Sequence, residues 1–264
     1  MKYIFIGNIF FCLNYLMLFD SEFCSVIIEP RSTVILQYVL ESIHLCTPEN
    51  TLIIILHGKK NKSYCQELLE KLHFSKRILL KNLNIENFTW NEYANFCKSK
   101  EYLNLIPTKY FLKFETDSFL LRTINVEKWK KYAYVGAPWK NTTIKGGNGG
   151  LSFRNKEWMQ KCIDLKEMVN IKEEDVFFSV LLTKLNAPLP DLNTAKKFSV
   201  EHIYYKSPVG CHQPWYSCDS FEKLKKMIDS AESEKIRKLA WKILLFDYRF
   251  FNNENLLLLN TSMF

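Results

Sequence analysis

The chain has 264 residues and a formal net charge of +8, with 47% hydrophobic and 24% charged residues. This apolar content excludes a disordered chain, and the length is enough for one large domain with a sizeable core. Collagen-like and solenoid architectures are excluded because the sequence has neither a triplet pattern nor a repeating period. The positive charge suits an acidic partner such as a phosphorylated small molecule or an anionic membrane face. Nucleic acid is not expected, since no zinc-finger, RNA-binding or basic-zipper signature occurs.

The first residues of the chain are strongly apolar. Residues 3–19 read YIFIGNIFFCLNYLMLF, at the lower edge of the roughly 17–25 residues that span a bilayer. They suit a signal peptide, a signal anchor or an element packed on the domain, so membrane association through residues 3–19 stays open. Cytoplasmic and secretory locations stay open with it. We predict an apolar segment over 1–22, one domain over 23–251 and a tail over 252–264.

Apolar runs and turn residues predict an alternation of strands and helices in the first half of the chain. The continuous apolar run over 51–56 is typical of a strand buried on both faces. In chain order we predict a strand over 25–29, a helix over 32–45, a strand over 51–56, a helix over 64–72, a strand over 78–80 and a helix over 91–100.

The second half of the chain continues this alternation and ends in helices. In chain order we predict strands over 109–114, 134–136 and 150–154, helices over 156–168 and 173–185, a strand over 198–201, a loop over 207–215, and helices over 220–230 and 232–251. The alternation predicts an α/β fold whose central, mostly parallel sheet is flanked by helices, with C-terminal helices beside it. The eight cysteines are dispersed without a C-x-x-C pair, which predicts buried thiols rather than a zinc site.

A carboxylate follows the predicted strand over 109–114. Asp117 lies in the sequence Glu115-Thr116-Asp117-Ser118. In open α/β sheets, ligands bind at the carboxyl ends of strands, and a carboxylate there can bind Mg²⁺ or Mn²⁺, which holds phosphate oxygens. The alternative is a simple turn at the end of a strand, where Asp and Ser are favoured.

Half of the eight glycines lie within five positions, at 146, 147, 149 and 150. Glycine permits positive φ angles and lets the backbone approach a ligand closely. The sequence is neither a Walker loop nor a G-x-G-x-x-G fingerprint. A flexible turn is the alternative, but a predicted strand and helix follow immediately and anchor this segment.

Two further groups of residues are candidates for catalysis or ligand binding. Glu173, Glu174 and Asp175 open a predicted helix, where acidic residues suit the helix dipole, but the apolar run that follows suits a general base at a pocket edge. In the predicted loop, His212 suits a metal ligand and Trp215 suits stacking on a sugar or a base, although packing roles are the alternative.

The order of these motifs resembles the DUF5672 family of candidate glycosyltransferases. The resemblance covers roughly residues 25–216 and rests on several ordered segments. These are Val26–Arg31, Ile53–Gly58, Glu115–Ser118 (ETDS), Tyr134–Trp139 (YVGAPW), Gly147–Arg154 (GNGGLSFR), Glu174–Phe178 (EDVFF) and His212–Trp215 (HQPW).

That family is in turn similar to GT-A glycosyltransferases of the Fringe and β1,3-galactosyltransferase kind. The resemblance implies a GT-A-like Rossmann-type domain that moves a sugar from a nucleotide-sugar donor to a glycan, protein or lipid acceptor, with inversion. It implies that Asp117 and His212 bind Mn²⁺ or Mg²⁺ and that Asp175, with Glu174 beside it, is the catalytic base. The residues implied to bind donor or acceptor are Glu115, Thr116, Ser118, Trp139, Gly147, Asn148, Gly149, Gly150 and Trp215. Glu115 stands where the family's D-x-D motif has its first aspartate.

Two other functions remain open from the sequence. A non-catalytic carbohydrate-binding protein would use Trp139 and Trp215 and need no metal. A metal-dependent nucleotidyltransferase or phosphotransferase would use Asp117, but the sequence offers no second carboxylate cluster for a two-metal site.

Overall fold

The computed structural model describes residues 19–20, 22–140 and 143–246. The strands are β1 (Phe23–Ile28), β2 (Leu52–His57), β3 (Ile78–Asn82), β4 (Tyr110–Phe114), β5 (Ser118–Leu120), β6 (Tyr134–Ala137), β7 (Asn148–Asn155), β8 (Ser199–Val200) and β9 (Gly210–His212). The α-helices are α1 (Ile35–Cys46), α2 (Lys62–Lys71), α3 (Trp90–Cys97), α4 (Lys100–Asn104), α5 (Val126–Trp129), α6 (Lys156–Asp164), α7 (Glu174–Lys184), α8 (Leu192–Phe198), α9 (Phe221–Ile228) and α10 (Glu234–Phe246).

Six strands form one large sheet in the order β3-β2-β1-β4-β7-β6. β1 pairs in parallel with β2 and β4, and β2 pairs in parallel with β3. β7 runs antiparallel to both β4 and β6, so the other five strands share one direction. This is the mixed α/β fold with a mostly parallel central sheet that the sequence predicts.

Both faces of the large sheet are covered. Along β1, Phe23 and Ile27 pack into one hydrophobic cluster, with residues of α1 and α10. Cys24 and Val26 pack into another, with residues of α4, α6 and α7. β2 alternates in the same way, which explains why its sequence is a continuous apolar run.

A small sheet of three strands, in the order β5-β9-β8, lies next to the large one. It begins directly after β4, because only residues 115–117 separate β4 from β5. Helix α1 anchors it: the Ser42 hydroxyl accepts a hydrogen bond from the Leu120 backbone N–H (3.0 Å) and donates one to the Leu120 carbonyl oxygen (3.3 Å).

The structure corrects several predicted boundaries. The predicted helix over 91–100 ends at Cys97, and a separate helix, α4, begins at Lys100, where Ser99 accepts a hydrogen bond from the Tyr102 N–H. The predicted loop over 207–215 contains β9, a strand too short for a hydrophobic pattern. β7 begins at Asn148, two residues before the predicted strand over 150–154, so Gly149 is a strand residue rather than a loop residue. Helices α5 and α8 have no predicted counterpart.

Two other predictions concern the cysteines and the ends of the chain. All seven cysteines in the described residues are unpaired, and six of them are buried, as predicted. No helix within the described part of the chain is long and apolar enough to cross a membrane. The apolar segment over 3–19, apart from Phe19, and the tail over 252–264 lie outside the described residues, and the proposed boundaries of the domain stay predictions.

Candidate metal centre and cleft

A cleft of about 820 Å³ opens where β1 and β4 end. Its wall is formed by the segment after β1, by α3, by the turn after β4, and by the beginnings of β7 and α7. The end of β9 completes it. A cleft of this volume is the usual size for a small-molecule site, and its place at the carboxyl edge of the sheet is where α/β folds bind ligands.

Three side chains in this cleft form a cluster suited to a metal ion. Glu115, Asp117 and His212 each offer one ligand atom, and these atoms lie within 4.8 Å of one another. His212 Nε2 is 3.2 Å from Asp117 Oδ1 and 3.7 Å from Glu115 Oε2. We call these three residues the metal cluster.

The pairing of the small sheet brings the cluster together. Ser118 of β5 lies opposite His212 of β9, so the residues just outside that pair, Asp117 and Gln213, also meet. The Gln213 backbone N–H donates to the Asp117 carbonyl oxygen (3.1 Å), and its side-chain amide donates to Asp117 Oδ2 (2.7 Å). The Ser118 hydroxyl closes the turn by donating to the Glu115 carbonyl oxygen (2.7 Å).

A buried lysine fixes Glu115. Lys113, inside β4, has a side chain that is only 2% exposed, and its Nζ is 2.6 Å from Glu115 Oε1. The Tyr93 hydroxyl from α3 donates to the same oxygen (2.7 Å). Burial alone would raise the pKa of Glu115, but Lys113 and His212 outweigh it and hold the pKa below its ordinary value. Glu115 is therefore a carboxylate with one oxygen engaged by Lys113 and Tyr93, and the other turned toward His212.

The surroundings of His212 favour positive charge. Burial alone would lower its pKa, but the carboxylates of Asp117, Glu201 and Glu115 raise the pKa well above its ordinary value. This position thus favours a cation, whether an imidazolium or a bound metal ion.

A second carboxylate group begins α7. Glu174 forms a buried ion pair with Arg154 of β7, whose side chain is fully buried. The next residue, Asp175, accepts hydrogen bonds from the backbone N–H groups of Val176 (2.8 Å) and Gly149 (3.2 Å). Burial and the neighbouring Glu174 raise the pKa of Asp175 to about 6.

Two positions in the glycine-rich segment require glycine, one because another side chain lies close to its backbone and the other because its φ angle is positive. A Cβ on Gly150 would lie 2.3 Å from the ring of His212, so only glycine leaves room for that imidazole against β7. Gly147 has a φ angle of +108°, and a Cβ there would lie 2.4 Å from the Ala137 carbonyl oxygen. The segment therefore shapes the site through its lack of side chains.

The structure brings most of the predicted site residues together. The cleft is lined by Glu115, Thr116, Asp117, Asn148, Gly149, Gly150, Glu174, Asp175 and His212. Ser118, Trp139, Gly147 and Trp215 are not among the lining residues. Ser118 is fully buried in the turn, and Trp215 is only 6% exposed and packs into the hydrophobic core.

The sequence interpretation missed several residues that build the site: Lys113, Tyr93, Arg154, Glu201, Gln213 and Trp90. Trp90 begins α3, lines the cleft and is 56% exposed, so the tryptophan at the cleft is neither of the two predicted. A charged residue inside an apolar strand, such as Lys113, can have a buried partner, but the sequence does not show which carboxylate that partner is.

A family model described as "Protein of unknown function (DUF5672)" matches residues 77–212, which contain the metal cluster and Asp175. The sequence matches none of the curated proteins.

Two solved structures are similar in fold. One is a 4-diphosphocytidyl-2C-methyl-D-erythritol synthase from Anaerococcus prevotii, with 13% identity and a TM-score of 0.43, over 65% of this chain and 87% of that chain. The other is the apo-form glycosyltransferase GlyE of Streptococcus pneumoniae, with 14% identity and a TM-score of 0.48, over 88% of this chain and 62% of that chain. The present chain thus spans less than two thirds of the length of GlyE.

Proposed function

The chain belongs to the DUF5672 family, and we propose that it is a metal-dependent glycosyltransferase that uses a nucleotide-sugar donor. The observation that carries this proposal is the composition of one cleft. It combines the metal cluster of Glu115, Asp117 and His212 with Asp175, a carboxylate whose pKa is raised to about 6. A cation site and a general base in one cleft are what transfer from a diphosphate leaving group requires.

The donor atoms of the metal cluster fit a divalent ion. Two carboxylates suit Mg²⁺ or Mn²⁺, and the imidazole favours a transition metal, so Mn²⁺ meets both requirements better than Mg²⁺ does. Glu115, Asp117 and His212 would hold this ion. When bound, it supplies positive charge that stabilises a departing diphosphate.

The charge of the cleft supports the need for such an ion. Six carboxylates line it: Glu29, Glu115, Asp117, Glu173, Glu174 and Asp175. Among the described lining residues, Arg31 and His212 are the only side chains that can carry positive charge, and Arg31 is paired with Glu29 at 2.7 Å. Arg31, Lys113 and Arg154 balance three of the six, so the cleft keeps a net negative charge that disfavours a diphosphate unless a cation is bound at the metal cluster.

Asp175 suits the role of base for the acceptor hydroxyl. Backbone N–H groups hold both of its oxygens, and a pKa of about 6 leaves it ionised yet basic near neutral pH. In the proposed reaction, Asp175 takes the hydroxyl proton and the acceptor oxygen forms a bond to the anomeric carbon. The bond from that carbon to the phosphate oxygen breaks in the same step, so the anomeric configuration inverts.

A nucleotidyltransferase or phosphotransferase that uses two metals is less favoured. The described residues hold one cluster of three metal-type ligands, whereas two-metal sites bind a pair of ions about 3.5–4 Å apart. A non-catalytic carbohydrate-binding protein would not need Asp175 with a raised pKa beside a metal cluster.

The test is an analysis of products. The protein is incubated with UDP-, GDP- and CMP-sugars and a panel of sugar acceptors, with Mn²⁺ or with EDTA. We expect a glycoside of inverted configuration, with release of a nucleoside diphosphate, or of CMP from a CMP-sugar, only when Mn²⁺ is present. Asp219 is exposed and pairs with Lys223 at the surface, so Asp219→Asn should retain activity and serves as a control for substitutions of the acidic site residues. Release of pyrophosphate, or turnover that persists in EDTA, contradicts the proposal.

A further inference from the structure

The small sheet places a third carboxylate against the metal cluster. Val200 of β8 pairs in parallel with Cys211 of β9. The residues that follow this pair along the two strands, Glu201 and His212, are therefore neighbours. Glu201 Oε1 lies 3.3 Å from His212 Nδ1. This contact is on the side of the imidazole opposite to Nε2, which faces Asp117 and Glu115.

Glu201 is buried and shared between two imidazoles. Its side chain is 4% exposed, and its other oxygen, Oε2, lies 3.2 Å from His202 Nδ1. Among the described residues, these two histidines are the only basic side chains within 4 Å of the Glu201 carboxylate. Both contacts are ion-pair distances without hydrogen-bond geometry, because Glu201 Oε2 and the Nδ1 atoms of His202 and His212 make no hydrogen bond among the described residues. A carboxylate this buried is costly unless donors face it, so we expect an N–H group on the imidazole nitrogen that faces it.

The contact determines which nitrogen of His212 can bind a metal. A carboxylate accepts hydrogen bonds and does not donate them, so its position near Nδ1 favours a proton on that nitrogen. In a neutral imidazole with a proton on Nδ1, the lone pair lies on Nε2, and Nε2 is the nitrogen that faces Asp117 and Glu115. Histidine ligands in metal sites are commonly oriented in this way by a carboxylate that does not touch the metal.

We propose that Glu201 is a positioning residue that holds His212 with its proton on Nδ1 and its Nε2 lone pair directed into the metal cluster; this rests on the proposed function, which places a cation there. Glu201 does not touch the ion or the substrate. His202 supports it from the outer side, where its own side chain is 40% exposed and its ring stacks on Tyr216.

The test measures Mn²⁺ affinity directly, by titrating the full-length protein with Mn²⁺ and following the free ion by electron paramagnetic resonance. Glu201→Ala is expected to weaken Mn²⁺ binding by about 10- to 100-fold. Glu201→Gln keeps an oxygen that accepts a hydrogen bond from Nδ1, so its affinity should stay within about threefold of wild type. His202→Ala removes the outer partner only and should have a small effect. Circular dichroism confirms that each variant is folded.

The outcomes separate this proposal from the proposed function. If the wild type binds Mn²⁺ and folded Glu201→Ala binds it with the same affinity, Glu201 has no positioning role. The proposed function then still stands. An equal loss in Glu201→Gln and Glu201→Ala also overturns it, because orientation by a hydrogen bond predicts rescue. Absence of Mn²⁺ binding in the wild type overturns both proposals.

Discussion

The large sheet and the small sheet are held together in different ways. β1 and β2 of the large sheet are six residues each and buried along their whole length. β5, β8 and β9 of the small sheet have only two or three residues each, and side-chain hydrogen bonds from outside the sheet hold it in place. Arg122, for example, donates to the Pro208 carbonyl oxygen and to the Ser207 hydroxyl. Apolar burial stabilises both sheets, since Phe119, Leu120, Val200 and Cys211 of the small sheet also pack into the hydrophobic core. In the small sheet, polar contacts between the short strands also position Asp117, Glu201 and His212.

The comparison predicts that function and stability can be lost separately. The largest effect is expected for Asp175→Asn, which removes the proposed base without removing a metal ligand. Transfer should fall by about 10²- to 10⁴-fold, while Mn²⁺-dependent donor binding persists. Steady-state kinetics and donor titration of the same sample measure both. Near-normal transfer by the variant would reject Asp175 as the base.

The raised pKa of Asp175 gives this prediction a pH dependence. Wild-type transfer at low substrate concentration should decline about tenfold per pH unit below pH 6, as Asp175 becomes protonated.

The raised pKa of Asp175 also makes the free energy of unfolding depend on pH, in the opposite direction to the rate of transfer. The folded-state pKa lies above the ordinary value of 3.8, so the stabilisation is present at low pH and is lost as the pH rises through about 6. At pH 7.5, Asp175→Asn should therefore be more stable than wild type, by on the order of 1 kcal/mol, measured by urea unfolding.

A substitution in the scaffold should show the reverse. Ile54 is fully buried in β2, and Ile54→Ala should lower the free energy of unfolding by about 2–5 kcal/mol. The milder Ile54→Val is the matched control, with a loss of about 0.5–1.5 kcal/mol. Mn²⁺ affinity, measured where each variant remains folded, should be unchanged. A proportional loss of metal affinity would show that the stability of the large sheet and the geometry of the metal cluster are coupled.

A smaller effect, on Mn²⁺ affinity, is expected for a substitution at Gly150, where β7 of the large sheet contacts β9 of the small sheet. The added methyl group in Gly150→Ala would lie 2.3 Å from the His212 ring and would displace it, so Mn²⁺ affinity should fall by about tenfold. Gly58→Ala is the control, because the three nearest atoms to its Cβ belong to Ile85 (2.9 Å), Pro30 (3.0 Å) and Glu86 (3.3 Å) and to no residue of the metal cluster. It should destabilise the fold without changing Mn²⁺ affinity. Equal affinities in both variants would contradict the placement of His212 against β7.

The same difference explains what the sequence could predict. A strand buried on both faces is a continuous apolar run, so β2 was predicted nearly to its boundaries. β9 has three residues and no such pattern, and the register that sets Glu201 beside His212 is a property of the folded sheet.

Buried charged residues also limited what could be predicted from the sequence. Lys113 and Arg154 lie in strands, where a charged residue usually indicates a solvent-facing position, but Glu115 and Glu174 pair with them in the interior. The sequence predicts Asp117 and His212 as metal ligands, and the family resemblance assigns them to one ion. In the structure their ligand atoms lie within 4.8 Å of each other, and their role in binding a metal stays a prediction. The identity of the ion stays a prediction, because no pattern of residues in one sequence specifies it.

The most direct test of the central claim is thermal unfolding with UDP-, GDP- and CMP-sugars, each with Mn²⁺ or with EDTA, for wild type and Asp117→Asn. A ligand at about 100 times its Kd stabilises a protein by about 2.7 kcal/mol, which a thermal shift detects readily. We predict stabilisation by one nucleotide class, lost in EDTA and lost in a folded Asp117→Asn variant. Equal stabilisation in EDTA or in the variant, or no shift with any of the donors, would contradict a metal-dependent donor site in this cleft.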